Sequence, residues 1–394
     1  MPKTVLIGAA RTPFGKLGGG LSSLPAVELG GKAIAAALER AEVKPDEVQH
    51  VSFGTVLQAG QGMIPSRQAQ IQGGIGNGVS SETINKVCAS SIRATTLTET
   101  SIRAGDLDVA VTGGMESMSN APYMLQKARF GYRMGDAEVI DAMTHDGLKN
   151  PFTGKQMGPE ANEVAEELEM TRADMDKFSV RSHELASSAT EEGRLPEEIV
   201  PVTIKSKKGE DTVEVDEAVR GDASLEGLSK LKPFTGEDGT HTAGNSPGVN
   251  DGAAALVLAS DEWAKSNGKE VLATFLSHAQ VADDFPYLAK TPGRATIAAL
   301  EKAGLSVEDI DLFEINEAFA SVALNSMRML GITEDKVNVN GGAIALGHPI
   351  GASGGRIVMA LVNELRRRGG GRGVAAICSG GGQGDAIVLE VNGG

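Results

Sequence analysis

Two cysteines and one histidine are the residues in this chain best suited to covalent chemistry, and each lies beside glycines or small residues. His348 stands within Gly341–Gly351, Cys378 opens the run Cys-Ser-Gly-Gly-Gly-Gln-Gly-Asp, and Cys88 lies in Asn-Lys-Val-Cys-Ala-Ser-Ser. Glycines leave backbone amides open and let a substrate approach closely. A thiol beside a helix N-terminus is favoured as the thiolate, its nucleophilic form. These residues together predict nucleophilic sulfur chemistry.

Taken singly, each of these residues has a plainer interpretation. A lone cysteine is usually a small buried apolar residue, and a lone histidine usually has a structural partner. The shared context favours function, because all three are flanked by glycines or small residues and are expected at corresponding ends of parallel elements, where active sites of α/β proteins gather. Asn316 follows the apolar run Asp311–Ile315 directly and adds a polar amide at the same kind of strand end.

The elements that must position these residues form an alternating pattern in both end regions of the chain. Apolar runs alternate with helix-periodic segments, which is typical of βαβ units and a parallel sheet. The predicted strands are Thr4–Ala9, Val48–Thr55, Glu82–Val87, Asp108–Thr112, Val271–Gln280, Asp311–Ile315, Gly373–Cys378 and Asp385–Val391. The predicted helices are Leu24–Arg40, Ser90–Arg103, Gly293–Ala303 and Ser353–Arg367.

A sequence pattern that occurs twice indicates that the chain contains two copies of one α/β unit. The pattern of Glu39–Val51 matches that of Glu301–Phe313. At nearly the same offset, Cys88 precedes one predicted helix and His348 precedes another. Two such copies would place their equivalent helix N-termini, and with them Cys88 and His348, around a pseudo-twofold axis.

The middle of the chain differs from both ends in composition, and we interpret it as an insertion that lies over the core. It is richer in Met, Gly, Pro and charge, with helices predicted at Glu160–Glu169 and Arg172–Glu191. Ile199–Lys205 and Asp211–Val215 alternate in polarity and predict a hairpin turning around Lys207-Lys208-Gly209. Local positive charge makes the insertion a candidate site for a phosphorylated ligand. The cations are Lys205, Lys207, Lys208, Arg220, Lys230 and Lys232.

Composition excludes several classes of protein. A length of 394 residues predicts two or three domain-sized units. A formal charge of −15 argues against general binding to nucleic acid or anionic membranes. Two cysteines predict a reducing compartment without a disulfide framework, and no apolar run approaches the roughly 20 residues of a membrane span. We therefore expect a cytoplasmic enzyme that does not bind membranes.

Four local sequences resemble motifs for other kinds of chemistry, but each departs from its motif in spacing, ligands or residue order. Gly8–Leu17 has the wrong spacing for a P-loop, and Gly74–Gly78 is a near miss of the dinucleotide fingerprint. Asp141 and His145 lack a third metal ligand nearby. Ser353 stands in a G-x-S-x-G sequence, but all six histidines precede it, whereas the hydrolase histidine follows its serine. We interpret that stretch as a tight strand-to-helix turn and expect no metal.

Six short segments, in order along the whole chain, resemble the signatures of thiolases. The layout from Tyr123 through Leu148 to Gly158 is similar to that of the biosynthetic type. Degradative 3-ketoacyl-CoA thiolases share the active-site motifs. The segments are Asn85-Lys-Val-Cys-Ala-Ser, Gly113-Gly-Met-Glu-Ser-Met-Ser, Asn250-Asp-Gly-Ala-Ala, Asn316-Glu-Ala-Phe-Ala, Gly347-His-Pro and Cys378-Ser-Gly-Gly-Gly.

The resemblance implies an α/β fold with thiolase-like duplicated βαβαβ halves that form a five-layered core, and an inserted α+β loop domain. Residues 1–117 with 251–270 would form the N-terminal domain and residues 271–394 the C-terminal domain. Residues 118–250 would form the loop domain, which binds coenzyme A and assembles tetramers through a segment near Met118–Gly135. A homotetramer, as a dimer of dimers, is therefore expected.

The resemblance also assigns chemical roles. Cys88 would be the nucleophile that carries an acetyl group. His348 would activate it and, with a water held by Asn316, form an oxyanion hole. Cys378 would be the acid and base at the thioester α-carbon. Backbone N–H groups of Cys88 and Gly380 would form a second oxyanion hole.

The substrates implied are coenzyme A thioesters, with no prosthetic group. Two departures from the biosynthetic pattern, Gln156 in place of histidine and Pro247 in place of serine (with Ser246 one residue earlier), bear on acyl chain length. The expected coenzyme A contacts are Leu148, Met157, Arg220, Ala243, Ala318 and Phe319.

The implied activity is that of an acetyl-CoA C-acetyltransferase, which converts two acetyl-CoA reversibly to acetoacetyl-CoA and CoA. One alternative is a 3-ketoacyl-CoA thiolase of fatty-acid β-oxidation with a preference for longer chains. Another is a non-catalytic thiolase-fold protein that binds acyl-CoA or lipid. Ketoacyl synthases share the fold, but their third catalytic residue is usually histidine, where this chain has Cys378.

Overall fold

A mixed sheet runs through both ends of the chain, and two short hairpins lie apart from it. The computed structural model describes residues 2–206 and 209–393. Its strands are β1 Thr4–Arg11, β2 Gly15–Lys16, β3 His50–Gly54, β4 Ser80–Ile84, β5 Val109–Ser117, β6 Tyr123–Met124, β7 Ile140–Asp141, β8 Val202–Ser206, β9 Gly209–Val213, β10 Asn250–Ser260, β11 Ala273–Ala282, β12 Leu312–Ile315, β13 Gly371–Ser379 and β14 Gln383–Val391.

Helices connect most of these strands. The α-helices are α1 Ala26–Ala41, α2 Pro65–Gln72, α3 Ser90–Ala104, α4 Met157–Glu167, α5 Arg172–Glu191, α6 Leu225–Ser229, α7 Asp261–Ser266, α8 Thr291–Ala303, α9 Ala320–Leu330, α10 Ala343–Leu346 and α11 Ser353–Arg367. A π-helix spans Met143–Leu148, and short 3₁₀ turns lie at Pro45–Glu47, Met118–Asn120, Ala128–Phe130, Leu288–Lys290, Val307–Asp309 and Glu334–Lys336.

The large sheet consists of two halves with the same internal order. The strand order is β12-β13-β14-β11-β1-β10-β5-β3-β4, and β1 joins β11 where Val5 pairs with Thr274. Outward from that junction, each half has two antiparallel pairings followed by a parallel one. Each half then ends on a further parallel partner, β4 in one and Val337 beside Phe313 in the other. The predicted duplication is confirmed by this repeated order.

Three hydrophobic cores stack the two halves into five layers. The first lies between α1 and the N-terminal half of the sheet, and the third lies between α8, α9 and the C-terminal half. The second holds α11 and residues of α3 between the two halves. Because α11 lies at the centre, nearly every residue from Ser353 to Leu365 is buried. Within the described residues, no helix has both the length and the apolar character needed to cross a bilayer.

The expectation of a parallel sheet is wrong for the strands at the middle of the molecule. β1, β10, β11 and β14 pair antiparallel with their neighbours, so the sheet is mixed. The sequence pattern also left β10 unassigned, although all 11 of its residues are buried. Its alanine-rich run lacks the alternation that marks a half-buried strand, because both of its faces are covered. Helices α2 and α9 were likewise not predicted.

The inserted segment lies between β5 and β10 in the chain and packs on both halves of the core. The guanidinium of Arg11 donates to Glu198 at 3.0 Å and to Asp216 at 2.7 Å, which ties β1 to the insertion. On the other side, Met175 and Phe178 of α5 enter the core beneath α9. Strands β8 and β9 form the predicted hairpin, whereas the predicted turn residues Lys207 and Lys208 lie outside the described residues.

Candidate active site

The three sequence-predicted residues meet at one cavity of about 340 Å³, whose wall includes Cys88, His348, Cys378 and Gly380. Cys88 lies two residues before α3, His348 lies five residues before α11, and Cys378 stands near the end of β13. The backbone segments touch as well. The amide of Gly355 in α11 donates to a serine of α3, and the serine after Cys378 donates to the carbonyl two residues before Cys88.

A tight turn between β4 and α3 presents Cys88 to this cavity. Val87 adopts a left-handed conformation with φ of 46°, which is uncommon for a β-branched residue. Its amide donates to Asn85 Oδ1 at 3.1 Å, and its carbonyl accepts from Ser90 Oγ at 2.6 Å. Ser90 Oγ also accepts from the amide of Lys86 at 2.9 Å. These bonds hold the strained residue in place, and strain of this kind concentrates at functional sites.

The Cys88 thiol is held in its protonated form, contrary to the prediction made from helix position. Burial raises the pKa of Cys88 to about 12. Hydrogen bonds to the sulfur from the N–H groups of Gly380 and Cys88 lower that pKa, while the nearby charge of Glu116 raises it further. Loss of water around a thiolate therefore outweighs the favourable backbone donors. As a consequence, Cys88 needs a base before it can act as a nucleophile.

This electrostatic setting predicts an unusual pH dependence for alkylation of Cys88. Because the pKa of Cys88 is so high, its thiolate fraction rises about tenfold per pH unit throughout the neutral and mildly alkaline range. The thiolate fraction of a free thiol, whose pKa is about 8.5, levels off above that pH. We expect the rate of iodoacetamide modification, resolved by mass spectrometry of the Cys88 peptide, to keep rising to about pH 10. A plateau near about pH 8.5 would contradict the assignment, and a surface cysteine in a model peptide provides the reference.

The ring of His348 is oriented as a base by a short chain of hydrogen bonds. Its Nδ1 lies 2.6 Å from Ser353 Oγ, and Ser353 donates its own proton to the carbonyl of Pro349 at 3.0 Å. The serine oxygen therefore accepts from Nδ1–H, which leaves the lone pair on Nε2. Nε2 makes no hydrogen bond among the described residues.

Burial and position reinforce the neutral state of this imidazole. Burial, helped by the positive charge of Arg356, lowers the pKa of His348 to about 3. The backbone amide of His348 donates to Asn250 Oδ1 at 2.9 Å, and Asn250 Nδ2 donates onward to the carbonyl of Gly15 at 2.9 Å. The histidine turn is thus fixed to β10, with a neutral, unpaired Nε2 at a cavity that also contains the Cys88 thiol.

We expect Ser353→Ala to lower the turnover number of the reaction about ten- to hundredfold with little change in KM, because Nδ1 would lose the partner that fixes the tautomer. Steady-state kinetics of the purified variant measures this. Ser326→Ala is the matched control, since Ser326 is equally buried and donates only within its own helix. Equal losses in the two variants would show that the effect is one of general packing.

Cys378 is the more deeply buried of the two thiols, with 1% of its surface exposed. Burial raises its pKa well above the usual range, and the negative charge of ionised Cys88 raises it further. The second effect requires that the two sulfurs lie close together. Each thiol therefore disfavours ionisation of the other, and the pair holds at most one thiolate at a time near neutral pH.

Asn316 is fully buried directly after β12 and is not among the residues that line the cavity. Its backbone N–H donates to the carbonyl of Ala376. The side-chain atoms Oδ1 and Nδ2 have no hydrogen-bond partner among the described residues. Its neighbour Glu317 accepts from Ser182 and Asn338, which fixes this turn. A buried amide with unused donors and acceptors can bind a water, as the predicted role requires.

The residues expected to contact coenzyme A fall on two cavities. Leu148, Met157, Ala318 and Phe319 line the reactive cavity, as do the departures Gln156 and Pro247. Arg220 and Ala243 instead line a neighbouring cavity of about 490 Å³. The two cavities share Ser246, Gly248 and Val249, so one ligand can extend through both.

Two of the cations predicted on the insertion pair with acidic neighbours, and two others, Lys207 and Lys208, lie outside the described residues. Lys205 pairs with Glu210 at 3.2 Å, and Lys230 pairs with Glu226 at 2.6 Å. Arg220 is the predicted cation that lines a cavity next to the reactive one. These two ion pairs partly neutralise the positive charge that the sequence predicts on the insertion, because local structure brings an acidic side chain beside each lysine.

Two functional candidates were missed by sequence reasoning. Ser353 was interpreted only as part of a turn, although it orients His348. The buried carboxylate of Glu116 accepts from the amides of Val56, Leu57 and Gly351 at 3.0–3.1 Å. Burial raises the pKa of Glu116 to about 7. The sequence signal that could have identified Glu116 is its position inside an apolar strand, since a carboxylate is buried only where hydrogen-bond donors or charges pair with it.

Comparisons with known proteins agree with this geometry. A family model described as the thiolase N-terminal domain matches residues 4–262, and one described as the thiolase C-terminal domain matches residues 269–391. An acetyl-CoA acetyltransferase of Cupriavidus necator is 47% identical over 391 residues, covering 99% of this chain and 100% of the relative. One from Chromobacterium violaceum is 45% identical over 389 residues, covering 98% of this chain and 99% of the relative.

The three-dimensional structure is also similar to a solved one. The crystal structure of the Bacillus anthracis acetyl-CoA acetyltransferase matches with a TM-score of 0.97 and 39% identity, covering 99% of each chain. A sheet and helix arrangement shared over the whole length, together with two adjoining family models that span nearly the entire sequence, means that this chain belongs to the thiolase family.

Proposed function

We propose that this protein is an acetyl-CoA C-acetyltransferase, which joins two acetyl-CoA reversibly into acetoacetyl-CoA and CoA. The observation that carries the proposal is the meeting of Cys88, His348, Cys378 and the Gly380 backbone at one cavity. Relatives of the same length and about 45% identity bear the name of this activity. The substrates would be coenzyme A thioesters, and the chain would need no prosthetic group.

In the first half-reaction, the neutral Nε2 of His348 accepts the proton of Cys88 while the sulfur attacks the carbonyl carbon of acetyl-CoA, because the low pKa of His348 and the high pKa of Cys88 leave no free thiolate beforehand. Accepting that proton turns Nε2 from an acceptor into a donor, which can then bond to a thioester oxygen together with a water on Asn316. The carbon–sulfur bond to CoA breaks, and Cys378 donates its proton to the leaving thiolate. The products are acetyl-Cys88, CoA and ionised Cys378.

In the second half-reaction, ionised Cys378 removes a proton from the methyl group of a second acetyl-CoA. The resulting enolate carbon attacks the carbonyl of acetyl-Cys88. The negative charge that develops on that oxygen falls near the N–H groups of Cys88 and Gly380, which already point at the Cys88 sulfur. Collapse expels the Cys88 thiolate, which recovers its proton from His348.

The test is a comparison of substrates with the purified protein. We expect condensation of acetyl-CoA to acetoacetyl-CoA, and cleavage of acetoacetyl-CoA in the presence of CoA at a rate at least equal to that of a ten-carbon 3-ketoacyl-CoA. A strong preference for the ten-carbon thioester would overturn the acetyl assignment in favour of a degradative thiolase. Binding of acyl-CoA without any cleavage would instead indicate a non-catalytic protein.

The finer organisation is also a proposal. We infer three units, residues 1–117 with 251–270, 118–250, and 271–394, and a homotetramer of a cytoplasmic enzyme of fatty-acid metabolism. Support for assembly comes from the segment near Met118–Gly135, where Tyr123, Phe130 and Met134 are strongly exposed. Large exposed apolar side chains of this kind mark interaction surfaces. Mass measurement in solution would test the tetramer.

A further inference from the structure

A buried carboxylate lies behind the reactive cavity, and the chemistry proposed above does not use it. Glu116 stands near the C-terminal end of β5, has no exposed surface and does not line the cavity. Alternate residues of a strand face the same side, and Thr112 on this side of β5 lies against Thr95 of α3. Glu116 therefore points into the layer that holds α3 and α11 between the two halves of the molecule.

Both carboxylate oxygens of Glu116 accept two hydrogen bonds. Oε1 accepts from the hydroxyl of Thr55 and the backbone N–H of Leu57, both at 3.1 Å. Oε2 accepts from the backbone N–H groups of Val56 and Gly351, both at 3.0 Å. Three of these four donors are backbone N–H groups, which cannot accept a hydrogen bond in return. The ionised carboxylate is therefore the form that suits all four donors.

One set of donors leads to the turn of residues 85–88, here called the Cys88 turn. The carbonyl of Val56 accepts from Asn85 Nδ2 at 3.4 Å, and Asn85 Oδ1 accepts from the strained residue Val87 at 3.1 Å. Val56 also packs with Val87 and Cys88 in one apolar cluster. Glu116 thus supports the backbone of the Cys88 turn through Val56 and Asn85.

The remaining donor belongs to the turn of residues 348–353, here called the His348 turn. Gly351 lies between His348 and Ser353, whose hydroxyl accepts from the imidazole. A Cβ atom at position 351 would lie 2.7 Å from Glu116 Oε2 and 2.4 Å from the carbonyl oxygen of Met115. Glycine alone allows so close an approach of the turn to β5. The carboxylate therefore bonds directly to the backbone that carries the imidazole.

We propose that Glu116, as a carboxylate, is a positioning residue that holds the Cys88 turn and the His348 turn at the separation needed for proton transfer from the Cys88 sulfur to Nε2 of His348. This inference rests on the proposed function and adds to it a residue that touches no substrate. The two turns come from different halves of the chain, so no local element sets their separation. Such transfer requires hydrogen-bond reach, and a displacement of about 1 Å can cost about 100-fold in rate.

The need for a carboxylate predicts how turnover depends on pH. Burial raises the pKa of Glu116 to about 7, although its four hydrogen bonds oppose that rise. We expect kcat to increase with pH through about 7, because Glu116 then loses its proton and can accept from all its donors. An effect of charge alone has the opposite sign, since the charge of Glu116 raises the pKa of Cys88 and so disfavours the thiolate.

The ionisable groups around Glu116 can be distinguished from it. Cys88 and His348, with pKa values of about 12 and about 3, lie far from neutrality. Arg356 of α11 pairs with Glu314, whose pKa burial raises to about 8, and a rise in kcat caused by Glu314 would persist in Glu116→Gln. The other ionisable side chains of the elements packed here bond elsewhere: Arg93, Glu99 and Arg103 of α3, Glu364, Arg366 and Arg367 of α11, His50 of β3 and Asp251 of β10.

Glu116→Gln tests the proposal with a side chain of nearly the same volume. Whichever way the amide is turned, its NH₂ group faces at least one backbone N–H, so one bond to a turn is lost. We expect kcat for acetoacetyl-CoA cleavage to fall about 10- to 100-fold, KM to stay within about threefold, and the rise of kcat near pH 7 to disappear. Steady-state kinetics from about pH 5.5 to about pH 9 measures all three quantities.

Two further variants serve as controls. Glu198→Gln makes the same change at a carboxylate that is 1% exposed, pairs with Arg11 and does not line the reactive cavity, and kcat should stay within about threefold. Glu116→Asp keeps the charge on a shorter side chain. We expect it to recover part of the kcat lost in Glu116→Gln and to keep a rise of kcat with pH.

The outcomes separate this inference from the function on which it rests. Cleavage of acetoacetyl-CoA by the unmodified protein upholds the function whatever the variants do, and its absence would overturn both. Given that cleavage, an unchanged kcat in Glu116→Gln, an equal loss in Glu198→Gln, or a rise near pH 7 that persists in Glu116→Gln would overturn the positioning role alone. Should Glu116→Gln fail to fold, a kcat that stays flat across neutral pH in the unmodified protein would overturn it, and a rise kept in Glu116→Asp would uphold it.

Discussion

Cys88→Ser is expected to abolish acetylation of the protein by acetyl-CoA and to lower condensation at least about 10⁴-fold, because loss of a covalent nucleophile removes the intermediate itself. The serine hydroxyl is far less acidic than the thiol and cannot be ionised by a neutral imidazole at rest. Mass spectrometry of the intact protein after exposure to acetyl-CoA detects the acetyl adduct. A coupled assay of acetoacetyl-CoA formation gives the rate.

The matched control for this variant is the other thiol. Cys378 remains in Cys88→Ser, so any acetyl adduct that persists would have to lie elsewhere on the protein. Peptide mapping locates it. An adduct of normal yield on Cys378, or condensation within about tenfold of the unmodified rate, would contradict the assignment of Cys88 as the acyl carrier. The substitution is close in volume, so the fold and the thermal transition should be retained.

Local sequence patterns predicted the elements that hold the site. The structural bounds of α5 and α11, Arg172–Glu191 and Ser353–Arg367, equal the predicted ones. Helix periodicity is a local property, and so is a switch from an apolar run to a helix. These switches located the junctions at Cys88 and His348, and the repeated pattern in the two halves predicted that the junctions would meet.

What the sequence could not predict depends on contacts between distant segments. β10 has neighbours on both sides and helices on both faces, so its residues carry no alternation that marks a strand. The pKa of Cys88 depends on burial by segments far along the chain, and burial opposed the helix effect that local sequence suggested. Ser353 looks like a turn residue until the ring of His348 is placed against it.

The same limit applies to the cavities. The rings of Phe152 and Phe285 stack although 132 residues lie between them in the chain. Neither residue belongs to a motif that sequence reasoning singled out. The aromatic wall of the cavity that Phe152 and Phe285 line is therefore set by tertiary packing, whereas the two cysteines and the histidine lie in short motifs.

Cys378→Ala is expected to lower condensation about 10²–10⁴-fold, the usual contribution of a positioned acid or base, while acetylation of Cys88 stays detectable. The physical reason is the coupling between the two thiols. Ionised Cys88 raises the pKa of Cys378, and an acetylated Cys88 cannot ionise. No thiolate at Cys88 therefore opposes ionisation of Cys378 at the step where a base is needed, and alanine cannot supply that base.

Exchange of hydrogen at the methyl group of acetyl-CoA isolates this step from carbon–carbon bond formation. In deuterium oxide, the unmodified protein should incorporate deuterium into acetyl-CoA, and Cys378→Ala should not, even where acetyl-Cys88 forms. Cys378→Ser serves as the graded control, because its hydroxyl can still donate a hydrogen bond but is a much weaker acid. Exchange at the unmodified rate in Cys378→Ala would mean that another group removes the proton, and the neutral Nε2 of His348 would then be the next candidate for that base.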